Sequence, residues 1–382
     1  MLEFRPTSWK GNNVNMRILL LINWKIRYCD KVPKDLQPSD YDCPQETYWF
    51  FKYFKNKPDL DVVDISAPKL VEKMENRVRF HFFQTFKILF KLNQYDLIFV
   101  HGSNSAMLLC ALKRVFHIKT PPILDVDISS FHQAYTSGLI HKLSQFSSKA
   151  FDYMVYHTSS QYDYYEEYFP WLKDKCKFIP FGVDYNYWKQ KSYKSIPEKK
   201  QYIVCVGYRK RDWNTLLEAF DRVNIPEKLY MIGNPDIKCT NPKVKVLPFI
   251  PIDELMTYIV NAKFSVIPLD DFNYSFGQMT LLQQMTLGVP ILAADVPAIR
   301  DYCNCSKGII SYTPYDPNNL AQKLVQMSNY SEDIMNAMAQ DNMAATKTSL
   351  SEQEMARQFE IICNDIVGNI NSTCNTGTEI NK

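Results

Sequence analysis

Two clusters in the second half of the chain have residue types and spacing suited to holding a diphosphate. Gly207, Tyr208, Arg209, Lys210 and Arg211 follow the apolar run Tyr202 to Val206, so three cations arrive where a strand ends. A helical pattern begins at Asp212 or Trp213. Strand, loop and helix in that order put charge at the carboxyl edge of a parallel sheet, where ligands of such folds bind. Guanidinium forks match diphosphate oxygens. A solvated basic turn with Asp212 as helix N-cap explains the same residues without a ligand. The second cluster lies in SFGQMTLLQQMTLGVPILAADVPAIRDY, Ser275 to Tyr302. Gly277 and Gln278 open a helix, and Leu281, Leu282 and Met285 give it an apolar face. A Gly-Val-Pro break at 288–290 leads into the apolar strand Ile291 to Ala294. Helix N-termini bind phosphate through unpaired N–H groups and the helix dipole.

The first half offers sparser chemistry. His101 and Gly102 end one apolar run, and Asp127 ends another, PPILDV. An imidazole or carboxylate at such an edge can orient an acceptor or support proton transfer. For His101, a strand-end histidine satisfied by backbone is the competing reading. Asp125-Val126-Asp127 matches the D-x-D pattern that binds divalent cations elsewhere, but three residues match often by chance, and the strand context favours a metal-free reading. Cys303 and Cys305 form a C-x-C with no second pair nearby to complete a zinc site.

These residues need a scaffold, and the sequence supplies two in series. Arg17 to Asn23 is continuously apolar, as a strand buried on both faces should be. Further strands are expected at 60–65, 96–101, 122–126, 151–158 and 177–180. Helices are expected around 46–54 and at 77–92, 105–116 and 161–169. Residues 189–200, KQKSYKSIPEKK, read as a linker. The pattern then restarts, with strands at 202–206, 229–233, 244–247 and 264–268 between helices at 213–222, 252–262, 279–287, 298–302 and 318–327. Alternating β and α elements with apolar strands predict doubly wound parallel sheets. The expected domains are 16–188 and 201–345, followed by a helix at 346–366 crossing back to the first and a disordered tail at 367–382.

At 382 residues the chain accommodates two ordinary domains, and a net charge of +3 gives no reason to expect nucleic acid. Its ten cysteines are irregularly spaced, many in apolar runs, which suits reduced thiols in a cytoplasmic protein. The N-x-S/T triplets at Asn273, Asn304, Asn329 and Asn371 then carry no meaning. No run reaches the ~18 apolar residues of a membrane span. The opening residues lack a signal-peptide core, and Met16 is an alternative start. RVRFHFFQTFKILFKL, residues 77–92, mixes basic and aromatic residues at helical spacing. It reads as a helix resting on the inner face of an anionic membrane or as a core helix with a basic outer face.

The segment from Ser275, together with YIVCVGYRKRDWNTLLEAF and KFIPFGVDYNYW, resembles nucleotide-sugar glycosyltransferases of the GT-B type, in particular glycosyltransferase family 4. The resemblance covers roughly residues 16–366. It implies an α/β, GT-B fold, with two doubly wound Rossmann-like domains facing across a cleft. It also implies sugar transfer from a nucleotide-diphosphate sugar to a glycan, lipid-linked or small-molecule acceptor, with retention and without a metal or other cofactor. Arg211 stands at the family's diphosphate lysine. Tyr208 stands where its arginine is usual, with Arg209 one step on. Gly207 and Gly233 end the strands lining the donor, and Phe249 and Ile250 occupy the nucleobase edge. Gly277, Gln278, Met279 and Thr280 would present amides to sugar and phosphate. Ser275 and Gln283 stand where the family carries two glutamates, which puts the sugar's identity and the stereochemistry in question. His101 and Asp127 take the acceptor side, but NWKIRYCDKVP lacks the family's glycine-rich turn. The Gly182 segment is read as structural, allowing a tight approach between domains, with Asp184 capping or bracing the hinge. Rival readings are an epimerase or phosphorylase on the same fold, or a non-catalytic nucleotide-sugar-binding protein.

Overall fold

The computed structural model describes residues 15–33, 36–78, 80–128, 130–131, 136–233 and 236–376, with side chains to 368. The expected opening segment, up to residue 14, and the end of the expected tail, 377–382, lie outside the described residues. Two compact units divide the chain: Met1–Ile179 with Met355–Lys382, and Pro180–Glu354.

In the first unit the order is β1 (Arg17–Ile22), β2 (Arg27–Tyr28), β3 (Tyr41–Asp42), β4 (Asp59–Val63), α1 (Lys69–Val78) and α2 (Phe82–Ile88). There follow β5 (Leu97–His101), α3 (Met107–Phe116), β6 (Ile123–Asp127), α4 (Gly138–Ser148), β7 (Tyr153–Tyr156), α5 (Tyr162–Tyr168) and β8 (Cys176–Phe178). Six strands form a parallel sheet, β4-β1-β5-β6-β7-β8, while β2 and β3 form a separate ribbon. Leu19, Leu21, Ile98 and Val100 pack with Ile88, Leu109 and Cys110 of the helix layer. Alternation turns Phe99 to the opposite face, where its ring meets those of Phe51 and Phe359.

The expected helix at 77–92 is two helices. Arg77 lies in α1, and α2 starts after His81. Glu75 of α1 accepts from the backbone N–H of Phe83 at 2.7 Å, so a carboxylate from one helix serves the first turn of the next.

In the second unit the order is α6 (Tyr185–Gln190), β9 (Tyr202–Val206), α7 (Trp213–Asp221), β10 (Lys228–Ile232), β11 (Val244–Leu247), α8 (Ile252–Asn261), β12 (Phe264–Ile267) and α9 (Gln278–Thr286). Then come β13 (Ile291–Ala294), α10 (Pro297–Cys303), β14 (Ile309–Tyr312), α11 (Pro317–Ser328) and α12 (Glu332–Lys347). Its parallel sheet runs β11-β10-β9-β12-β13-β14. Tyr193 and Ile196, from the basic stretch expected to be a linker, pack on this unit's core. Gly182 does allow a close approach, but within this unit: a Cβ there would lie 2.6 Å from the Ser351 carbonyl oxygen. Asp184 caps α6, accepting from the N–H of Tyr187 at 3.1 Å.

The last helix, α13 (Glu352–Thr376), runs on into residues expected to be unstructured. From Met355 onward it belongs to the first unit, where Phe359 stacks on Phe50 at 5.3 Å.

Candidate functional site

Each sheet reverses its strand order at one point. In the second unit this is between β9 and β12, since β10 and β11 lie to one side of β9 and the later strands to the other. The carboxyl ends of strands at such a reversal open a crevice in doubly wound sheets. The Gly207–Arg211 loop leaves β9 at this edge, and the segment leading to α9 leaves β12 beside it.

Gly207 has φ +127° and donates its N–H to the Ile232 carbonyl at 3.0 Å. A Cβ at Gly207 would lie 2.8 Å from Nη2 of Arg211, so a larger residue there would push the guanidinium from its present position. Arg211 is 8% exposed. Its Nε donates to the Val206 carbonyl at 3.3 Å, and its Nη1 donates to the Arg209 and Lys210 carbonyls at 3.0 and 3.4 Å. Among the described residues no carboxylate lies within ion-pair distance of it, and Nη2 has no protein acceptor. Burial lowers the pKa of this guanidinium, with Cys205 and Asp270 pulling the other way. A buried cation without a carboxylate partner is costly, and an anionic ligand would offset that cost.

The Arg211 backbone pairs with Leu269 just beyond β12. Leu269 in turn packs on Gly277, where a Cβ would lie 2.9 Å from its Cδ1. The cationic loop and the start of α9 are thereby joined through one leucine. Gly277 has φ +89° and occupies the N-cap of α9 with no side-chain cap bond. Leu281, Leu282 and Met285 are buried, as the apolar pattern requires. Helix geometry leaves the first amides of α9, including those of Met279 and Thr280, without intrahelical acceptors. The Gln278 side chain points inward, donating to the Ala298 carbonyl at 2.8 Å. Ser275 and Gln283 are partly buried.

Arg209 is exposed and separate from Arg211: its guanidinium lies 5.1 Å from the centre of the Tyr208 ring. Tyr208, read from the sequence only as standing where the family's arginine is usual, meets Phe249 edge-on at 5.3 Å. Phe249 is 72% exposed, whereas its neighbour Ile250 packs on the core. Gly233, with φ +108°, ends β10 between them, donating to the Leu247 carbonyl at 3.0 Å. This gives an exposed aromatic pair able to stack on a planar ring. Tyr208 had one legible signal, its place directly after a strand-ending glycine. Asp212 caps α7, accepting from the N–H of Thr215 at 3.1 Å, so that alternative coexists with the basic loop.

In the first unit the reversal falls between β1 and β5. Its edge is filled by aromatic groups. His101 is buried, with Trp24 and Trp49 edge-on at 5.2 and 4.9 Å, and its Nδ1 has no hydrogen-bond partner among the described residues. Asp127 is fully buried, accepting from the N–H groups of Ser130 at 2.8 Å and Phe131 at 3.2 Å and from the Tyr165 hydroxyl at 2.6 Å. It organises its own loop, and this geometry does not support the acceptor-side role expected for it. Asp125, the other carboxylate of the D-x-D, accepts from the Ser103 hydroxyl at 2.6 Å and is held well above its ordinary pKa by burial.

Behind His101 lies His157, whose Nδ1 is 2.6 Å from the Ile179 carbonyl. A carbonyl only accepts, so Nδ1 carries the proton. Burial lowers the pKa of both rings, that of His157 from 6.5 to about 4. A base with a depressed folded pKa takes up its proton more readily when unfolded. Its contribution to stability is complete above 6.5 and is lost as pH falls toward 4, by up to ~1.4 kcal/mol per pH unit for each group. Asp125 acts in the opposite sense, since a raised folded pKa loses stability as pH rises above 3.8. The histidine effect is therefore read as a difference: His157→Gln should give a shallower loss of melting temperature between pH 6.5 and 4 than the parent chain. Superimposable acid limbs would contradict this account.

Residues 200–329, which hold the cationic loop and α9, match the family described as Glycosyl transferases group 1. The fold is that of the GT-B glycosyltransferases. Sucrose-phosphate synthase from Thermosynechococcus elongatus shares it with a TM-score of 0.64 at 14% identity, over 92% of this chain and 100% of that one. Anabaena HepE, solved in complex with UDP, gives 0.63 at 12% over 92% and 100%. A glycosyltransferase from Rickettsia africae gives 0.63 at 14% over 93% and 99%. At these identities the likeness is one of fold. No curated protein matches the chain.

Proposed function

We propose that this chain is a glycosyltransferase that moves a sugar from a nucleotide-diphosphate sugar to a hydroxyl acceptor. The observation that carries the reading is Arg211, a buried cation with no carboxylate partner among the described residues, seated at the strand reversal of a glycosyltransferase group 1 domain. In this reading Nη2 of Arg211 and the leading amides of α9 hold the diphosphate. Tyr208 and Phe249 flank the base. Arg209 adds positive charge at the mouth of the site. Negative charge grows on the departing diphosphate as the anomeric carbon becomes cationic, and preformed positive groups stabilise that separation without calling on a metal. HepE structures bound to UDP and to UDP-glucose support a uridine donor. Retention at the anomeric carbon is part of the same proposal.

The neutral Ser275 and Gln283 favour one rival, a protein that binds the nucleotide sugar without turning it over. Gln283 keeps an acceptor for a ribose hydroxyl but lacks the charge. The two readings separate by measuring UDP release from UDP-glucose with and without a glycan and lipid extract as acceptor source. Acceptor-dependent release is expected. Tight UDP binding with no release under either condition, repeated with other UDP-sugars, would establish the binding protein instead.

A further inference from the structure

In the first unit, β4 to β5 and each later step to β8 proceed in the same direction across the sheet. Right-handed crossovers then put α2, α3, α4 and α5 on one face. Packing agrees: α2 lies against α3 and α3 against α4, while Gln145 of α4 donates to the Tyr168 carbonyl at the end of α5. The outward side of α2, α3 and α4 has an unusual composition. No Asp or Glu occurs in residues 82–92, 107–117 or 138–149, whereas Lys87, Lys91, Lys113, Arg114, Lys142 and Lys149 all do. Lys113 is paired with Asp152, and Lys87 with Asp64 at 3.9 Å while it also donates to the Ser66 carbonyl. Lys91 and Lys142 are exposed and have no carboxylate within ion-pair distance among the described residues. The next helix, α5, does carry acids, Asp163, Glu166 and Glu167.

The same surface exposes large apolar groups that no core claims. Phe86 and Phe90 stand four residues apart, 56% and 91% exposed. Phe116 is 67% exposed, and Leu139 is 83% exposed. The Arg114 guanidinium lies over the Phe146 ring at 4.3 Å. Inward positions on the same helices, such as Ile88 and Leu109, are buried. Aromatic and aliphatic groups set among lysines, on helices that themselves carry no carboxylate, match the two-part chemistry of an anionic lipid surface. Apolar groups enter the acyl boundary, and cations meet phosphate headgroups. Among the described residues no helix is long and apolar enough to cross a membrane, so the contact would be peripheral.

We infer that the α2–α3–α4 face of the first unit docks on an anionic phospholipid surface. The inference does not depend on the donor site, and it is tested on the full chain without nucleotide. The protein is sedimented with vesicles of phosphatidylcholine alone and with vesicles of equal parts phosphatidylcholine and phosphatidylglycerol. Binding should appear only with the anionic vesicles and fall as salt is raised. Phe86→Ser with Phe90→Ser should lower it about tenfold, and Lys91→Glu with Lys142→Glu by at least as much. All four positions are exposed, and melting curves check the fold of both double variants. Equal binding to both vesicle types, or unchanged binding by both folded variants, would overturn the inference. So would light scattering that showed a dimer lost in the phenylalanine variant without any vesicle binding, since the face would then join two copies of the chain.

Discussion

Replacing Arg211 by alanine should weaken UDP binding by ~1.5–3 kcal/mol, roughly a tenfold to hundredfold rise in Kd, the range for a hydrogen bond to a charged group. Arg211 is the buried cation at the β9–β12 reversal, and its Nη2 has no acceptor among the described residues. The loss should exceed that for Arg209→Ala, because Arg209 is exposed and its charge is screened by water. The arginine also ties three carbonyls of its own loop, so part of the loss would come from a loosened loop. Arg211→Lys keeps the charge without the fork and should fall between parent and alanine. Calorimetry of UDP binding, with melting curves run alongside, checks this series. An alanine variant with parental affinity and an intact fold would remove Arg211 from the site.

The second large effect is expected at Phe359 of α13. Its ring is fully buried, stacked on Phe50 at 5.3 Å and edge-on to Phe99 at 5.2 Å. This aromatic packing covers the face of the first sheet opposite α2–α5. Phe359→Ala should cost ~3–5 kcal/mol, from lost transfer energy and the cavity left behind. For a unit of this size the melting transition should fall by on the order of 10 °C. The second unit has its own core, so a separate transition for it should move little. A cost below about 1 kcal/mol would mean that α13 merely rests on the surface.

How far the sequence could be read depended on where its residues find their partners. β1 was legible because parallel strands are buried on both faces, and Ile18–Ile22 is apolar throughout. α9 was legible from Gly277, its apolar stripe and the Gly-Val-Pro stop, and Gly288 does take φ +73° at its end. α4 was missed because its buried positions include His141, Ser144, Ser147 and Ser148, which leave no apolar period to find. The break between α1 and α2 was missed because a side-chain cap from Glu75 helps set it, and periodicity does not reveal caps supplied from another helix.

At the site, the sequence placed three cations after β9 but not their directions. Whether Arg211 faces water or its own loop depends on the space left by Gly207, a tertiary fact. Asp127 was likewise a plausible edge carboxylate until Tyr165 and the amides of Ser130 and Phe131 claimed both of its oxygens. The family resemblance was strongest where main-chain geometry does the work, and weakest at Ser275 and Gln283, where it rests on side chains.

A crystal structure of the chain with UDP tests the central claim most directly. The account predicts the β-phosphate within hydrogen-bond distance of Arg211 Nη2 and of the Met279 and Thr280 amides, with the uracil against Tyr208 and Phe249. UDP bound away from the β9–β12 edge, with Arg211 still engaging only the carbonyls of Val206, Arg209 and Lys210, would contradict it.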